Sequence, residues 1–293
     1  MKTIRYLDPA RGTAELGLLI ADEVYSITNV VPQWTDPIGM WYALQALGVN
    51  PEDVTARFTN QPSKSYRELE QSHLLLPPVH AEEVWAAGVT YERSRQARNA
   101  ETRISDSVYD RVYDAVRPEL FFKATAKRVV APGQPLRLRT DSEWMVPEPE
   151  LAVVLSAGGD IIGYTVANDL SSRDIEGENP LYLPQAKVFL QSCSFGPVLL
   201  WNTAAAGNPA EWTIELDILR DEATAFKDAV SFSQFRRSFG HLIDYLRKDN
   251  PIPDGTVLMT GTGIVPPDEF TLRPLDTVSI RISSIGTLTN PIE

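Results

Sequence analysis

The chain has 293 residues, of which 43% are hydrophobic and 23% are charged, and its formal net charge is −12 at pH 7. These values exclude a disordered or fibrous protein and allow one large domain with a smaller one. The negative charge argues against nucleic acid and anionic membranes as partners, and the single cysteine excludes an intrachain disulfide. With no apolar run of membrane-spanning length and no signal-peptide pattern at the start, a cytoplasmic protein is expected.

The first part of the chain predicts short strands followed by helices. Residues 2–31 alternate β-branched or aromatic residues with polar ones, which predicts strands with a hairpin near residues 21–23. A helix is predicted over residues 37–47, because the segment opens with proline and is followed by Gly48. Pro51 is expected to open another helix.

A proline pair marks the predicted domain boundary. Residues 74–78 end in two prolines, which cannot continue a helix and force an extended backbone. We therefore expect a small N-terminal α/β domain over residues 1–77 and a larger domain over residues 78–293. The larger domain opens with a short apolar strand at residues 83–88.

A highly charged segment follows that strand. Residues 91–103 contain four arginines with little apolar stripe, which indicates either a solvated helix or a mobile lid, and composition favours the helix. Residues 104–116 have helical spacing of apolar residues that stops before Pro118. A strand is predicted over residues 120–124.

Strands dominate the rest of the chain, apart from one amphipathic helix within residues 235–246. The predicted strands are at residues 151–155, 161–167, 196–201, 211–219, 256–259 and 276–282. Because strands and helices do not alternate regularly, a wound parallel sheet is disfavoured and a β-rich α+β fold is favoured.

Two carboxylates lead directly into the apolar strand that begins at Leu151. Strand side chains alternate between faces, so Glu148 and Glu150 point the same way. A solvated strand end would tolerate them, but buried like charges require a cation between them. A hairpin would bring Asp169 beside them, with Asp174 as the alternative third ligand. Three carboxylates suit magnesium, manganese or calcium, and do not suit zinc or copper.

Two further segments are candidates for chemistry. Lys187 stands between a proline-rich loop and an apolar run, where it would stabilise an oxyanion or move protons, or else would only extend to the surface. Residues 260–263 would present hydroxyl and amide donors to a small anion, or form a flexible turn. Prolines follow that segment, so it is not a dinucleotide-binding fingerprint. Zinc-protease and serine-hydrolase motifs are absent from the sequence.

Several separated motifs resemble, in order and spacing, the signature of the fumarylacetoacetate hydrolase superfamily. They are residues 118–123, 147–154, 163–169 with 172–174, Lys187, 195–197 and 260–262. The resemblance covers about residues 80 to 293. Within the superfamily the chain is similar to 2-keto-3-deoxy-pentonate (arabinonate or xylonate) dehydratases. That similarity is carried by residues 113–119, 142–144, 178–185 and 249–256.

The resemblance implies a mixed β-roll catalytic domain with a small N-terminal domain, assembled as a homodimer or homotetramer. It also implies magnesium held by Glu148, Glu150 and Asp169. The substrate would be a small 2-oxo sugar acid. Its candidate binding residues are Tyr91, Lys123, Gln185 and Thr262, with Lys187 and Thr262 at the 2-oxo acid end.

The resemblance also bears on the type of reaction. Hydrolases of the superfamily carry a lid His and Glu soon after a Gly-Arg-Asn-Tyr segment, and these two residues activate water. The corresponding segment in this chain is residues 88–91, and Ser94 and Ala97 stand where that pair would be. This difference disfavours hydrolysis of a carbon–carbon bond and favours elimination.

The function expected from the sequence is therefore that of a metal-dependent dehydratase in non-phosphorylative pentose degradation. It would convert a 2-keto-3-deoxy-pentonate to 2,5-dioxopentanoate through a metal-stabilised enolate. Glu92 is the candidate general acid/base, and Lys187 is the alternative. An acylpyruvate (diketo-acid) hydrolase, an oxaloacetate decarboxylase and a sugar-acid-binding module without catalysis are the competing hypotheses.

Overall fold

A mixed sheet built from N-terminal and C-terminal strands organises the structure, a computed structural model that describes residues 1–101 and 108–293. The strands are β1 (Lys2–Asp8), β2 (Thr13–Ile20), β3 (Glu23–Ser26), β4 (Lys64–Ser65), β5 (Leu75–Leu76), β6 (Glu83–Gly88), β7 (Glu119–Thr125), β8 (Val129–Val130), β9 (Met145–Val146), β10 (Pro149–Leu155), β11 (Ile161–Asp169), β12 (Ser171–Ser172), β13 (Cys193–Phe195), β14 (Val198–Trp201), β15 (Thr213–Arg220), β16 (Ala223–Ser231), β17 (Thr256–Met259), β18 (Thr277–Ile282) and β19 (Gly286–Pro291). The helices are α1 (Ile27–Val30), α2 (Pro37–Leu47), α3 (Thr55–Phe58), α4 (Tyr66–Gln71), α5 (Glu92–Glu101), α6 (Val108–Asp114), α7 (Arg173–Glu178), α8 (Leu183–Lys187) and α9 (Phe239–Arg247).

The large sheet has the order β4-β3-β2-β1-β14-β11-β10-β17-β6-β7. Outside this order, β5 pairs with β1, β13 pairs with β11, and β8 pairs with β13. The described residues therefore contribute 13 strands to this sheet. Its pairs are antiparallel except β17 with β6 and β13 with β8. A separate antiparallel sheet has the order β16-β15-β18-β19. The expectation of a mixed fold dominated by strands is therefore confirmed.

The central hairpin of β10 and β11 is buried on both faces. Every residue of β10 is buried, as its continuous apolar sequence predicts. Leu151 and Val153 pack into one hydrophobic core with the residues of β15 and β18. Ala152 and Val154 pack into a second core on the opposite face, together with Met40 of α2. The alternation of strand side chains thus places one core on each side of the sheet.

The predicted N-terminal elements are present, and they extend the large sheet. Strands β2 and β3 form the expected hairpin, and α2 ends at Gly48, which adopts the left-handed conformation (φ 63°). The predicted link contains β5, which pairs with β1. Strand β1 also pairs with β14, where Ile4 lies opposite Val198. This pairing covers an edge of β14 that would otherwise leave backbone groups unpaired.

Other elements differ from the predictions in extent. The charged segment forms α5, whereas the predicted helical segment that starts at residue 104 lies partly outside the described residues and continues as α6. Helix α9 begins at Phe239, because the Ser238 hydroxyl caps its N-terminus by accepting the His241 N–H. Strands β16 and β19 were not predicted, since their apolar residues do not form a clear stripe. No helix in the two described segments is long and apolar enough to cross a membrane.

The close approach of β11 to β14 yields a stability prediction. A Cβ atom at Gly163 would lie 2.6 Å from the Leu200 carbonyl oxygen, and paired backbones cannot move apart easily. We expect Gly163→Ala to lower the free energy of unfolding by about 1–3 kcal/mol. The matched control is Gly240→Ala in α9, where no atom lies within 4 Å, and it should be neutral or stabilising by up to about 1 kcal/mol. Urea denaturation followed by circular dichroism measures both, and equal effects would contradict the packing argument.

Candidate metal centre and its surrounding charges

The β10–β11 hairpin brings the three predicted carboxylates together. Glu148 directly precedes β10, Glu150 lies within it, and Asp169 ends β11. The Asp169 N–H donates to the Glu148 carbonyl oxygen at 3.0 Å, which aligns the strand ends. One oxygen from each carboxylate lies within 4.8 Å of the others. All three residues are at most 4% exposed, so their negative charges share one buried space.

Asp174, the alternative third ligand, lies in a different environment. Its carboxylate accepts hydrogen bonds from the hydroxyls of Ser142 at 2.6 Å and Ser172 at 2.7 Å. It also accepts the backbone N–H groups of Glu143 and Ile175. Burial alone would raise the pKa of Asp174, but these donors outweigh it and lower the pKa. The side chain stabilises the start of α7 and lies outside the carboxylate cluster.

The carboxylate cluster fits a hard divalent cation. Burial, then Asp169 and Glu148, raise the pKa of Glu150 well above its ordinary value, although the Gly261 N–H donates to it at 2.5 Å. Neither Asp169 oxygen has a hydrogen-bond donor among the described residues. Two ammonium groups lie at ion-pair distance from Asp169 but not in hydrogen-bond geometry, so its lone pairs are unused. Oxygen-only donors with unused lone pairs suit magnesium, manganese or calcium.

Lys187 lies beside this cluster, as expected for a residue near a metal-bound oxyanion. Its Nζ atom is 2.7 Å from Glu148 Oε2 and 3.3 Å from Asp169 Oδ2. It also donates to the Ser171 hydroxyl at 2.6 Å. Burial alone would lower the pKa of Lys187, but Asp169, Glu148 and Glu176 outweigh it and raise the pKa above the ordinary value. Lys187 is therefore an ammonium ion in this arrangement.

Two arginines and one glutamate complete the charged site, and the sequence reasoning did not single them out. Arg98 Nη2 lies 2.6 Å from Glu148 Oε1, and Arg98 Nε lies 3.2 Å from Glu176 Oε1. Arg173 Nη2 lies 3.2 Å from Glu148 Oε1. All three side chains are buried. They come from α5 and α7, which contact each other, and tertiary packing brings them to the cluster.

Glu119, at the start of β7, is a further residue that the sequence reasoning did not single out. The residue is half-buried, but its carboxyl group faces an enclosed pocket that Lys187, Glu148 and Thr262 also line. Burial, followed by the negative charge of Glu176, raises the pKa of Glu119 to about 7. Its strand partner is Gly88, where a Cβ atom would collide with the Glu119 carboxylate. Its position within the superfamily motif of residues 118–123 was a sequence signal that could have identified Glu119 as a site residue.

Of the predicted substrate-binding residues, Thr262 is buried at this pocket and Tyr91 is buried near the Glu150 charge. Thr262 lines the pocket directly, and its hydroxyl donates to the Ile264 carbonyl oxygen at 3.1 Å. The Tyr91 hydroxyl has no hydrogen-bond partner among the described residues. Burial and the nearby Glu150 charge raise the pKa of Tyr91. A buried phenol without a partner is a donor available to a bound ligand.

Lys123 and Gln185 are placed differently from the other predicted substrate-binding residues. The Lys123 ammonium lies 2.5 Å from Asp169 Oδ1 and donates to the carbonyl oxygens of Leu170 and Lys187 at 2.9 and 2.7 Å. The two hydrogen bonds to carbonyl oxygens hold the Lys123 ammonium in place, where its positive charge stabilises the Asp169 carboxylate. Gln185 is exposed on α8 and does not line the pocket.

Comparison with known proteins identifies the family. Residues 83–293 match the family described as fumarylacetoacetate (FAA) hydrolase, C-terminal. The chain belongs to the fumarylacetoacetate hydrolase family. This confirms the family that the motifs predicted.

Two curated relatives and one solved structure are similar over most of the chain. A 2-dehydro-3-deoxy-D-arabinonate dehydratase of Saccharolobus solfataricus is 41% identical over 282 residues, which cover 94% of this chain and 93% of that protein. A probable 2-keto-3-deoxyxylonate dehydratase of Haloferax volcanii is 50% identical over 215 residues, 73% of each chain. A solved 2-keto-3-deoxy-D-arabinonate dehydratase complexed with magnesium and 2,5-dioxopentanoate has a TM-score of 0.82 and 36% identity, covering 100% of this chain and 99% of that one.

Helix α5 shows what replaces the water-activating pair of the hydrolases in the fumarylacetoacetate hydrolase family. Ser94 and Arg98, one helical turn apart, are buried and line the pocket, and Ala97 is half-buried beside them. Glu92 lies on the outer face, where Arg95 and Gln96 donate to its carboxylate. The hydrogen bond from Arg95 lowers the pKa of Glu92. The structure therefore does not bring Glu92 together with the other candidates.

The crowding of the carboxylates yields a prediction for Glu150. Glu150→Gln removes one of three like charges while keeping the shape of the side chain. We expect the metal-free variant to melt above the wild type, by about 2–4 °C for each kcal/mol of relieved repulsion. Magnesium should raise the melting temperature of the wild type but not that of the variant.

The matched control is Glu215→Gln on β15, an exposed position paired with Arg281. It should change neither the melting temperature nor the response to magnesium. Differential scanning calorimetry with and without magnesium measures all three proteins. A Glu150→Gln variant that is less stable without metal, yet still stabilised by magnesium, would contradict the assignment of Glu150 as a ligand.

Proposed function

We propose that this chain is a magnesium-dependent dehydratase that converts a 2-keto-3-deoxy-pentonate to 2,5-dioxopentanoate in non-phosphorylative pentose degradation. The observation that carries the proposal is a buried three-carboxylate cluster with unused oxygen lone pairs, next to a pocket that contains both an ammonium and a carboxyl with a pKa of about 7. Relatives named as dehydratases of such sugar acids support the substrate class.

Glu148, Glu150 and Asp169 would hold the metal, for which manganese and calcium are alternatives to magnesium on the same donor set. The bound ion supplies a Lewis acid that polarises the 2-oxo acid. Lys123 holds Asp169 in place, and the Lys187 ammonium stabilises the negative charge that develops on the 2-oxo oxygen. In the metal-free site the carboxylates of Asp169 and Glu148 raise the pKa of Lys187 and keep it an ammonium ion, so we assign it to charge stabilisation and not to proton removal.

Glu119 performs the proton transfers in this proposal, in place of Glu92. As a carboxylate it removes a proton from C3, and as the acid it returns that proton to the C4 hydroxyl, which leaves as water. A double bond forms between C3 and C4 as the C4–oxygen bond breaks. Moving a proton from C5 to C3 then gives an enol, whose tautomer is the aldehyde. A pKa of about 7 allows the same carboxyl group to remove a proton and to return it.

The charge of the site favours a substrate with one carboxylate. Among the described residues, five carboxyl groups and four cationic side chains meet there, which leaves one excess negative charge. They are Glu119, Glu148, Glu150, Asp169 and Glu176 against Arg98, Lys123, Arg173 and Lys187. A divalent ion gives one excess positive charge while Arg98 remains in the site, and a neutral site once Arg98 withdraws. In neither case does the site hold the two positive charges that would balance the two carboxylates of oxaloacetate, which disfavours the decarboxylase alternative.

The residues around the substrate disfavour a hydrolase. The resemblance to the family hydrolases puts Ser94 and Ala97 where their His and Glu would stand, and Arg98, next to Ala97, lines the pocket together with Ser94. Arginine stays protonated at neutral pH and serine without a base is a poor proton acceptor, so neither activates water. We propose that the Tyr91 hydroxyl donates to the sugar acid and that Thr262, whose hydroxyl already donates to the Ile264 carbonyl oxygen, contacts the sugar acid as part of the pocket wall. Lys123 and Gln185 are not proposed for this role.

Three broader features belong to the same proposal. Residues 1–77 would form a small α/β unit attached to a catalytic unit of residues 78–293, divided at the two prolines. The chain would assemble as a homodimer or homotetramer, since large apolar side chains such as Leu181 and Leu190 are exposed near α8. A net charge of −12 and a single buried cysteine suit a cytoplasmic enzyme without nucleic acid or membrane partners.

An enzyme assay tests the reaction itself. We expect the purified protein with magnesium to convert a 2-keto-3-deoxy-pentonate to 2,5-dioxopentanoate, detected with a coupled aldehyde dehydrogenase. Both C4 configurations should be supplied, and EDTA should abolish turnover until magnesium is restored. Pyruvate release from an acylpyruvate, or loss of carbon dioxide from oxaloacetate, without aldehyde formation would replace the dehydratase by one of its alternatives. Substrate binding without turnover in calorimetry would favour a binding module.

Replacing the two candidate acid/base residues separates their roles. Glu119→Gln should lower kcat by about 10²–10⁴-fold, because a neutral amide cannot take the C3 proton. Glu92→Gln is the matched control on the outer face of α5, and it should leave kcat near the wild-type value. The opposite ranking would return the acid/base role to Glu92.

The pH profile of the wild type checks the same assignment. Glu119 acts first as a carboxylate, so kcat/KM should rise with pH as it loses its proton. The inflection should lie no higher than about pH 7, since a bound cation can only lower the pKa of Glu119. In Glu119→Gln this inflection should disappear, and a profile that keeps it would assign it to another group.

A further inference from the structure

Arg98 is the residue through which α5 contacts the candidate metal ligands. It is 5% exposed, and its guanidinium bridges Glu148 at 2.6 Å and Glu176 at 3.2 Å. Helix α5 is strongly polar and has no apolar stripe to hold it against the protein. Because a short polar helix depends on its tertiary contacts, this buried ion pair helps to keep α5 docked, together with ion pairs that Arg93 and Arg95 make to other elements.

We propose that Arg98 and the divalent cation compete for Glu148, so that metal binding and the docking of α5 oppose each other. The inference rests on the metal centre of the proposed function but not on its substrate. Arg98 is a positioning residue in this scheme, since it acts on the metal ligand and on its own helix.

The contacts of the three carboxylates single out Glu148 as the ligand for which a metal must compete. Both of its oxygens already face cations, Oε1 towards Arg98 and Arg173 and Oε2 towards Lys187. Glu150 accepts a backbone N–H from Gly261, and Asp169 faces two cations, the ammonium groups of Lys123 and Lys187, whereas Glu148 faces three. A cation that uses all three carboxylates therefore meets its strongest opposition at Glu148.

Of the cations on Glu148, Arg98 is the one whose element can withdraw. Lys187 is fixed by Ser171 and the Asp169 carboxylate, and Arg173 is 1% exposed at the start of α7. Arg98 lies instead on a helix whose outer face is open to solvent, where Glu92 and Gln96 are exposed. Metal binding would thus release Arg98, with α5, and leave the other two cations in place.

Removing the Arg98 side chain has two opposite effects on metal affinity, and their relative size decides whether binding becomes tighter or weaker. Removing a side chain that orients a metal ligand weakens metal binding by about 10–100-fold. Repulsion between a guanidinium and a divalent ion that share one carboxylate corresponds to more than ~10³-fold, even at an effective dielectric of about 20. Lys187 and Arg173 continue to orient Glu148 when Arg98 is absent. Loss of the Arg98 charge should therefore tighten metal binding.

The test measures the binding of Mn²⁺ alone to the full-length protein, by electron paramagnetic resonance and calorimetry. Arg98→Met should bind Mn²⁺ at least about tenfold more tightly than the wild type. Arg98→Lys keeps the charge and should stay within about threefold of the wild type. Arg93→Met is the matched control, because Arg93 lies on the same helix but pairs with Asp228 at the surface, and it should not change the affinity. Equal or weaker binding by Arg98→Met would overturn the proposal.

A second measurement uses only the wild type and remains decisive if Arg98→Met fails to fold. Because coupling between two binding events is reciprocal, saturating Mn²⁺ should speed hydrogen exchange of the α5 amides by about tenfold or more. Unchanged or slower exchange in α5 would overturn the proposal. A wild type that binds no Mn²⁺ would overturn both this inference and the metal centre. Binding that behaves as expected, without dehydratase turnover, would overturn only the proposed reaction.

Discussion

The burial of Glu148, Glu150 and Asp169 in one space is the constraint on which the rest of the site depends. Removing three like charges from water costs free energy. Cationic side chains from remote parts of the chain lie around them. Lys123 supports Asp169, while Lys187 reaches both Asp169 and Glu148. The cations do not remove the demand for a further positive charge, as the raised pKa of Glu150 indicates. A divalent ion satisfies that demand with the donor set present.

One carboxyl group of the same pocket, that of Glu119, has a different electrostatic environment from the metal-ligand carboxylates. Glu148 and Asp169 contact cations directly, whereas Glu119 stands apart from them and next to the negative charge of Glu176. Its pKa of about 7 follows from burial and from the negative charge of Glu176, which outweigh the positive charges of Lys187 and Arg98. A site that separates its carboxyl groups in this way has both ligands for a metal and a group able to exchange protons near neutral pH.

Helix α5 lies between the pocket, which contains the metal ligands and Glu119, and the surface of the protein. Its inner face supplies Ser94 and Arg98 to the pocket, and its outer face carries Glu92 in an exposed cluster with Arg95. Since α5 has few apolar contacts, ion pairs hold it, and ion pairs respond to a change in nearby charge more directly than hydrophobic contacts do. The resemblance to hydrolases of the fumarylacetoacetate hydrolase family implies water-activating groups in this region. In this chain the region carries a fixed positive charge instead.

Local periodicity and motif order in the sequence were sufficient for the family, the β-rich fold and the hairpin that carries the carboxylates. Alternation along β10 put Glu148 and Glu150 on one face, and the return strand put Asp169 beside them, because such patterns act within one element or between adjacent strands. The tertiary structure alone decided which face of α5 points inward, and hence that Arg98 reaches the site while Glu92 does not. It also decided that Lys123 supports Asp169 and that Glu119 has a raised pKa. These features depend on packing between elements distant in the chain, and no local pattern records the environment that such packing creates.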